Sequence, residues 1–564
     1  MADIGTFRPH SVSWRELTPD EQAWVDKSRA SLSTDAAIAQ LFNFGVNDGA
    51  EQVASVSGNG AGGYHRFPGA NLAKARDITR RLLERSTIPP LISGDIEGGE
   101  VSLGFATSLP NQLGIAACDD PELTAQLARL IALEARAIGY NWSFAPVVDI
   151  NAAFRSTIVG TRSFGSDPDR ILAHAAAHVA GTQSAGLAAT AKHWPGEGFD
   201  ERDQHLLTTV NPLDMDAWRA SFGRIYKELI GRGVMTIMVG HIALPDYHRE
   251  CGAPLDREAY GPASVSARLN IDLLRGEMGF GGLLVSDATV MGGLTSWMPR
   301  SQAVPKVIEH GCDMFLFSRA PATDIAHMRE GLRSGLLSEA RLDAAVTRIL
   351  TLKALLGLHR TSVEDRLAQM DAAAALLGAP ESRQMAQRAA ARSLTLVKDV
   401  PGLLPLNPAR GRRIVLGANV QEEVFLDGAP PRSFAPLVAA LEAAGFAVRH
   451  YDPENPPTAE ETDLLLYAVG RESTPVIAAN RIDWPALHGS AKRAMLRHVD
   501  IPTMMISFGH PYLLYDAPWV GTYINAYSGI AAVQTAVVSA MVGEQPFPGR
   551  SPVDAFCGRP ELAL

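Results

Sequence analysis

From about residue 50 to 320 the chain alternates short apolar runs with longer amphipathic stretches, the pattern of parallel strands joined by helical crossovers. The runs fall at residues 52–57, 90–94, 142–148, 188–192, 234–239, 282–286 and 313–317. Seven strands are one short of a closed (β/α)8 barrel, so the eighth is expected to be missing, degenerate or hidden near residues 110–116. Ser338 then caps a helix with Leu342, Val346, Ile349 and Leu356 close to one stripe, and Gly357 stops it. That closes a first domain over residues 1–360, and the alanine-rich stretch 361–392 reads as a helical linker. The alternation restarts over 393–564, where the runs at 414–416, 464–469, 503–508 and 522–526 are apolar almost throughout, as strands covered on both faces are. The predicted fold is α/β: a TIM-type (β/α)8-like barrel followed by a C-terminal α/β sandwich domain. Gly417-Ala418-Asn419 lacks the spacing of a dinucleotide fingerprint, and solenoid repeats and low-complexity tracts are absent.

In a βα barrel the chemistry gathers at the C-terminal ends of the strands. Polar residues follow the apolar runs there: Asp95 and Glu97, Asp149, Lys192 and His193, His241, and Asp287. Any one of them could be a capping or solvated residue; five strand ends together point to a site. Pro195, Gly196 and Gly198 turn the chain out of its strand after Lys192-His193, and Asp203 and His205 follow in the loop. Two residues apart, Asp203 can orient the His205 imidazole and favour its charged form. Asp287 leaves the end of Gly-Gly-Leu-Leu-Val-Ser and is the best nucleophile candidate, with His205 as the separate proton donor. That division of labour is the one expected of retaining glycoside hydrolysis. Lys192, His193 and Arg162 are candidates for holding sugar hydroxyls, with Asp95 bridging two adjacent ones; His241 and Met291 complete the candidate substrate contacts.

Two readings of other classes stay open. His193, His205, His241, Asp95 and Asp287 are metal-ligand types, but there is no short-spaced His pair and Lys192 would repel a cation beside His193. A sugar-binding scaffold on a degenerate barrel would show neutral replacements at the strand-end acids, and none is seen.

The 564 residues are 46% hydrophobic and 20% charged with a net charge of −10, which gives no electrostatic footprint for nucleic acid or an anionic membrane. Cys118, Cys251, Cys312 and Cys557 lie far apart with no CxxC, against a zinc site or disulfide framework, and suit a cytoplasmic location. Residues 1–30 hold no apolar core of signal-peptide length, and the apolar stretch at 530–542 is too short to span a bilayer. The expectation is an enzyme with a carbohydrate substrate and no cofactor or metal, the homodimer question being left open.

Six segments in order resemble glycoside hydrolase family 3, in its β-N-acetylglucosaminidase branch. Gly94-Asp95-Ile96-Glu97-Gly98-Gly99 is similar to the family's D-x-E-G-G, Phe144 to Asp149 to its F-A-P-V-x-D, and Arg162-Ser163-Phe164-Gly165 to its R-S-F-G. Lys192-His193-Trp194-Pro195-Gly196 resembles K-H-F-P-G, Asp203-Gln204-His205 the D-S-H dyad, and Ser286-Asp287 the S-D that carries the nucleophile. Leu403 to Leu406 and Ser507 to Tyr512 are similar to the family's C-terminal sandwich. The resemblance implies Asp287 as nucleophile, His205 as acid/base, Asp203 as its partner, and Asp95, Arg162, Lys192 and His193 in the sugar subsite. It also implies that the second domain is structural or substrate-shaping, since the D-x-H loop takes the place of an acid from that domain. Two positions depart from the family: Glu197 stands where K-H-F-P-G-H-G has its second histidine, and Glu100 where G-G-R-V has arginine. In a sugar pocket either would disfavour an acidic aglycone. A β-glucoside substrate is an alternative. So is phosphorolysis, because a neutral imidazole repels incoming phosphate less than a carboxylate does.

Overall fold

The computed structural model describes residues 11–564 except 48, 50–51, 54–59, 68, 70, 100–102, 421–432, 477–478 and 496–497. Among the described residues, a separate parallel pair, Thr209–Val210 with Ile242–Ala243, stands beside eight short strands that build the main N-terminal sheet: β1 Phe42–Val46, β2 Gly63–Arg66, β3 Leu91–Gly94, β4 Trp142–Ser143, β5 Thr190–Trp194, β6 Thr236–Val239, β7 Leu283–Ser286 and β8 Phe315–Leu316. They pair in parallel in the orders β8-β1-β2-β3-β4 and β5-β6-β7. Isolated parallel bridges join the two sets, Trp142 to Ala188 and Val147 to Lys192 on one side and Val285 to Met314 on the other, so the sheet is strongly curled. Nearly every strand residue is buried, as parallel strands packed on both faces require. The crossover helices pack outside: Pro121–Ala135 lies on Pro168–Ser184, close enough that a Cβ at Gly181 would sit 2.3 Å from the Ala125 carbonyl oxygen.

Two expectations need correction. Gln52 and Val53 are helical, and 54–57 lie outside the described residues; the first strands are β1 and β2. Residues 110–116 hold no strand: Asn111 caps the helix Gln112–Ala117 by accepting from the Gly114 N–H. β1 and β2 escape a hydrophobic pattern because they bury polar side chains. Asn43 donates to Ser93 Oγ at 2.9 Å, and Arg66 donates to the Ala75 carbonyl and to Thr79 Oγ1.

The C-terminal part is a six-stranded sheet of β9 Thr395–Asp399, β10 Arg413–Val420, β11 Ala447–His450, β12 Leu464–Gly470, β13 Thr503–Ser507 and β14 Thr522–Asn525. Its order is β9-β14-β13-β12-β10-β11, parallel except for the β9 edge. Period-two alternation splits its strands between two cores, with Leu464, Leu466, Met504 and Ile506 on one face and Leu465, Tyr467, Met505 and Tyr523 on the other. The helices Val363–Ala374 and Pro380–Ser393 connect the two parts. Leu113 and Ala117 of the first part pack on Tyr512, Tyr527 and Val553 of the second, and the Asn111 amide donates to the Tyr527 carbonyl at 2.8 Å. Among the described residues no helix is long and apolar enough to cross a membrane.

Candidate active site

The C-terminal ends of β3, β5 and β7 open into a cavity of about 490 Å³. Asp95, Glu97, Arg162, Lys192, His193, His205, Asp287 and Met291 line it together with Phe144, Phe317, Arg319 and, from the second part of the chain, Ser473 to Val476.

One wall is an ion-pair network. Lys192 Nζ, 2% exposed, lies 2.8 Å from Asp95 Oδ1 and 2.7 Å from Glu97 Oε1. Arg162 grips Glu97 bidentately at 2.8 and 2.9 Å. Burial opposes the Glu97 charge, yet Arg162 and Lys192 outweigh it and hold the carboxyl well below the usual range. Burial likewise opposes the Lys192 charge, and Asp95 and Glu97 overcome it and raise the ammonium's pKa. Asp95, 32% exposed, is the more open of the two carboxylates, Glu97 being 3% exposed. His65 stands 3.5 Å behind Asp95, its pKa pushed down to about 4 by burial. The structure brings Asp95, Arg162 and Lys192 together, with Glu97 as the group both cations share. Glu97 was visible at its strand end; what the sequence did not carry was its partners.

Two histidines on the wall, His193 and His205, are each backed by an aspartate. Asp149 takes His193 Nδ1 at 2.7 Å and the His193 backbone N–H at 3.1 Å, and His193 Nε2 points to Asp287 Oδ2 at 3.9 Å. Asp203 takes His205 Nδ1 at 2.7 Å and the His205 N–H at 2.8 Å. His205 is 22% exposed, and its Nε2 has no protein partner among the described residues. The loop carrying it is fixed over the end of β7, the Gly292 N–H donating to the His205 carbonyl at 2.7 Å and the Gly293 N–H to the Gln204 carbonyl at 3.1 Å. Glycine is required at this crossing: a Cβ at Gly292 would lie 2.2 Å from the Leu206 carbonyl oxygen.

Asp287 is buried, with Oδ1 accepting the Ala288 N–H at 2.7 Å. Burial works against its ionisation, but His193, His241 and His205, with that N–H, hold the carboxyl below its ordinary value. His241 is corrected as a substrate contact. It is fully buried, does not line the cavity, and engages both ring nitrogens, Nδ1 with Ser264 Oγ at 2.8 Å and Nε2 with the Ala288 carbonyl at 3.1 Å. It supports the backbone beside Asp287 instead. Met291 is a lining residue.

Glu197 does not face the cavity either. It lies behind Asp149, where its N–H donates to Asp149 Oδ1 at 2.9 Å, and burial together with the Asp149 charge pushes its carboxyl well above the ordinary value. Buried behind Asp149 and away from the cavity, Glu197 is not placed to repel an acidic aglycone. Glu100 lies outside the described residues. Among the described residues, no three His, Cys, Asp or Glu side chains are grouped to hold a metal ion.

The family model for the glycosyl hydrolase family 3 N terminal domain matches residues 33–352. The chain belongs to glycosyl hydrolase family 3. A β-N-acetylglucosaminidase/β-glucosidase of Cellulomonas fimi is 40% identical to it over 561 residues, covering 96% of this chain and 97% of that protein. The solved structure of the β-glucoside phosphorylase BglX bound to 2FGlc is 34% identical, with a TM-score of 0.90 over 97% of this chain and 99% of that one. A family 3 β-N-acetylglucosaminidase from Paenibacillus sp. str. FPU-7, 24% identical with a TM-score of 0.78 over 93% of this chain and 99% of its own, shares the fold.

Proposed function

We propose that the chain is a retaining, exo-acting β-glycosidase that releases terminal N-acetylglucosamine. Asp287 attacks the anomeric carbon while the bond to the leaving oxygen breaks and His205 Nε2 gives that oxygen its proton. Water then attacks the glycosyl-Asp287 ester, gives a proton to the neutral imidazole, and frees the carboxylate. Asp203 fixes the tautomer that leaves Nε2 facing the cavity and stabilises the imidazolium. Asp95, Lys192, Arg162 and His193 bind the sugar hydroxyls, with Met291 against the ring. The observation that carries the reading is that Asp287 and His205 line one cavity, His205 with a partnerless Nε2 and Asp287 held ionised. The cavity's volume, about 490 Å³, lies within the roughly 300–1,000 Å³ of small-molecule sites and suits one sugar with the start of an aglycone. The identity to the Cellulomonas fimi enzyme supports the sugar class.

The architecture we infer is a TIM-type barrel over residues 1–360, a helical linker over 361–392 and an α/β sandwich over 393–564. The bridges Trp142–Ala188 and Val285–Met314 support closure of the curled sheet, and the separate hydrophobic cores support the division.

A second reading is phosphorolysis, with inorganic phosphate replacing water in the second step. Two observations favour it: the likeness to the β-glucoside phosphorylase, and Arg319 on the cavity wall, a guanidinium with no carboxylate partner among the described residues. A panel of aryl β-glycosides (N-acetylglucosaminide, glucoside, xyloside, N-acetylgalactosaminide), assayed with and without phosphate, tests both readings. Fastest release from the N-acetylglucosaminide at a phosphate-independent rate supports the first; a sugar 1-phosphate product supports the second. Turnover of none of the four would reject the glycosidase assignment.

A further inference from the structure

The acid/base pair is not completed by the barrel alone. Ser473 and Thr161 exchange two hydrogen bonds, the Ser473 N–H to Thr161 Oγ1 and the Thr161 N–H to Ser473 Oγ, each at 2.9 Å. This fixes the start of a short second-part segment at the cavity wall. Three residues on, the Val476 N–H donates to Asp203 Oδ2 at 2.8 Å. Val476 has φ of +66°, a left-handed conformation that is a genuine outlier for a β-branched residue. Its side chain is 59% exposed, so no deep packing of the valine accounts for the conformation. What the conformation secures is the aim of the N–H, which fits the tendency of strained backbone to sit where function needs it.

Asp203 is left with no freedom to turn. Oδ1 takes both His205 donors and Oδ2 takes Val476. Burial opposes its ionisation, but His205 and then Val476 hold the carboxyl below its ordinary value. We propose that Val476 is a positioning residue: its backbone N–H, presented by the second part of the chain, locks the Asp203 carboxylate in the plane from which His205 directs Nε2 at the glycosidic oxygen. The second part thereby acts on proton transfer without supplying a catalytic side chain. The proposal rests on His205 being the acid/base.

The test compares Val476→Pro, which removes the N–H and fixes φ near −65°, with Val476→Gly, which keeps the N–H and tolerates positive φ. Each is assayed on an alkyl β-N-acetylglucosaminide, which needs the proton, and on the dinitrophenyl glycoside, which does not. Val476→Pro should lower kcat/KM on the alkyl substrate by about tenfold or more and on the dinitrophenyl substrate by about twofold or less. Val476→Gly, which keeps the N–H, should recover most of the alkyl-substrate loss and show no leaving-group selectivity. Equal losses of Val476→Pro on both substrates, no loss on either, or a Val476→Gly as impaired as the proline variant would overturn the proposal. If the proline variant does not fold, Ser473→Ala and Thr161→Val loosen the same segment and should show the same leaving-group selectivity at about threefold; no selectivity in either again rejects it. His205→Ala run alongside separates the two levels. If that variant shows no selectivity, the acid/base assignment itself fails; if it does and the Val476 and Ser473 variants do not, only the positioning role fails.

Discussion

The two aspartate–histidine pairs are built alike and placed differently. In each, the carboxylate binds Nδ1 at 2.7 Å and also takes the histidine's own backbone N–H. His193 sits at the end of β5, 5% exposed, with Nε2 3.9 Å from Asp287. His205 rides on a loop, 22% exposed, with Nε2 open to the cavity and its aspartate shared with the second part of the chain. In the mechanism we propose, one orienting device serves two tasks: beside the nucleophile it fixes a rigid electrostatic contact, and on the loop it aims a group that must exchange protons. Position, more than residue type, assigns the role.

The largest effect falls where the two pairs converge. Asp287→Asn should lower turnover by about four orders of magnitude or more in the aryl glycoside assay, since neither histidine can replace the nucleophile. The comparison itself is sharpened by His205→Ala against His193→Ala. In kcat/KM, His205→Ala should lose about 10²- to 10³-fold on alkyl glycosides and tenfold or less on the dinitrophenyl glycoside, whereas His193→Ala should lose about equally on both. Identical leaving-group profiles for the two variants would erase the distinction. Next, Asp149→Asn should cost about 1–3 kcal/mol in urea denaturation, because the His193 N–H, His193 Nδ1 and the Glu197 N–H all lose a charged acceptor in a buried place.

The smallest effect concerns Glu197. Its folded pKa is raised, so the folded state holds a proton that the unfolded chain releases. Its contribution to stability is therefore full below the ordinary carboxylate pKa and is lost as pH rises toward the folded value. Glu197→Gln should unfold at nearly the wild-type temperature at low pH and at a higher temperature than wild type as pH rises. A gap that narrows with rising pH would show that Glu197 is charged in the fold.

The strand-end residues were legible because a parallel strand buried on both faces reads as an apolar run that stops at its chemistry, as before Asp95, Lys192 and Asp287. β1 and β2 were not, since Asn43, His65 and Arg66 spend their polarity inside the protein. Residues 110–116 show the opposite failure: a short apolar run fits strand or helix, and only the Asn111 cap decides. His241 was misassigned because position after a strand says nothing of which way a ring turns. Edge strands β9 and β11 were hidden by mixed polarity. The Val476 contact lies 273 residues from Asp203 along the chain, and no local pattern records such proximity.

The most direct test of the account is peptide mapping by mass spectrometry of His205→Ala after exposure to the dinitrophenyl N-acetyl-β-glucosaminide. That leaving group departs without an acid, and the missing base should slow release of the sugar from the enzyme. The account predicts one N-acetylglucosaminyl adduct per chain on the peptide containing Asp287, lost when Asp287→Asn is added. An adduct on the peptide of Asp95 or Glu97, or none while free sugar is still formed, would contradict it.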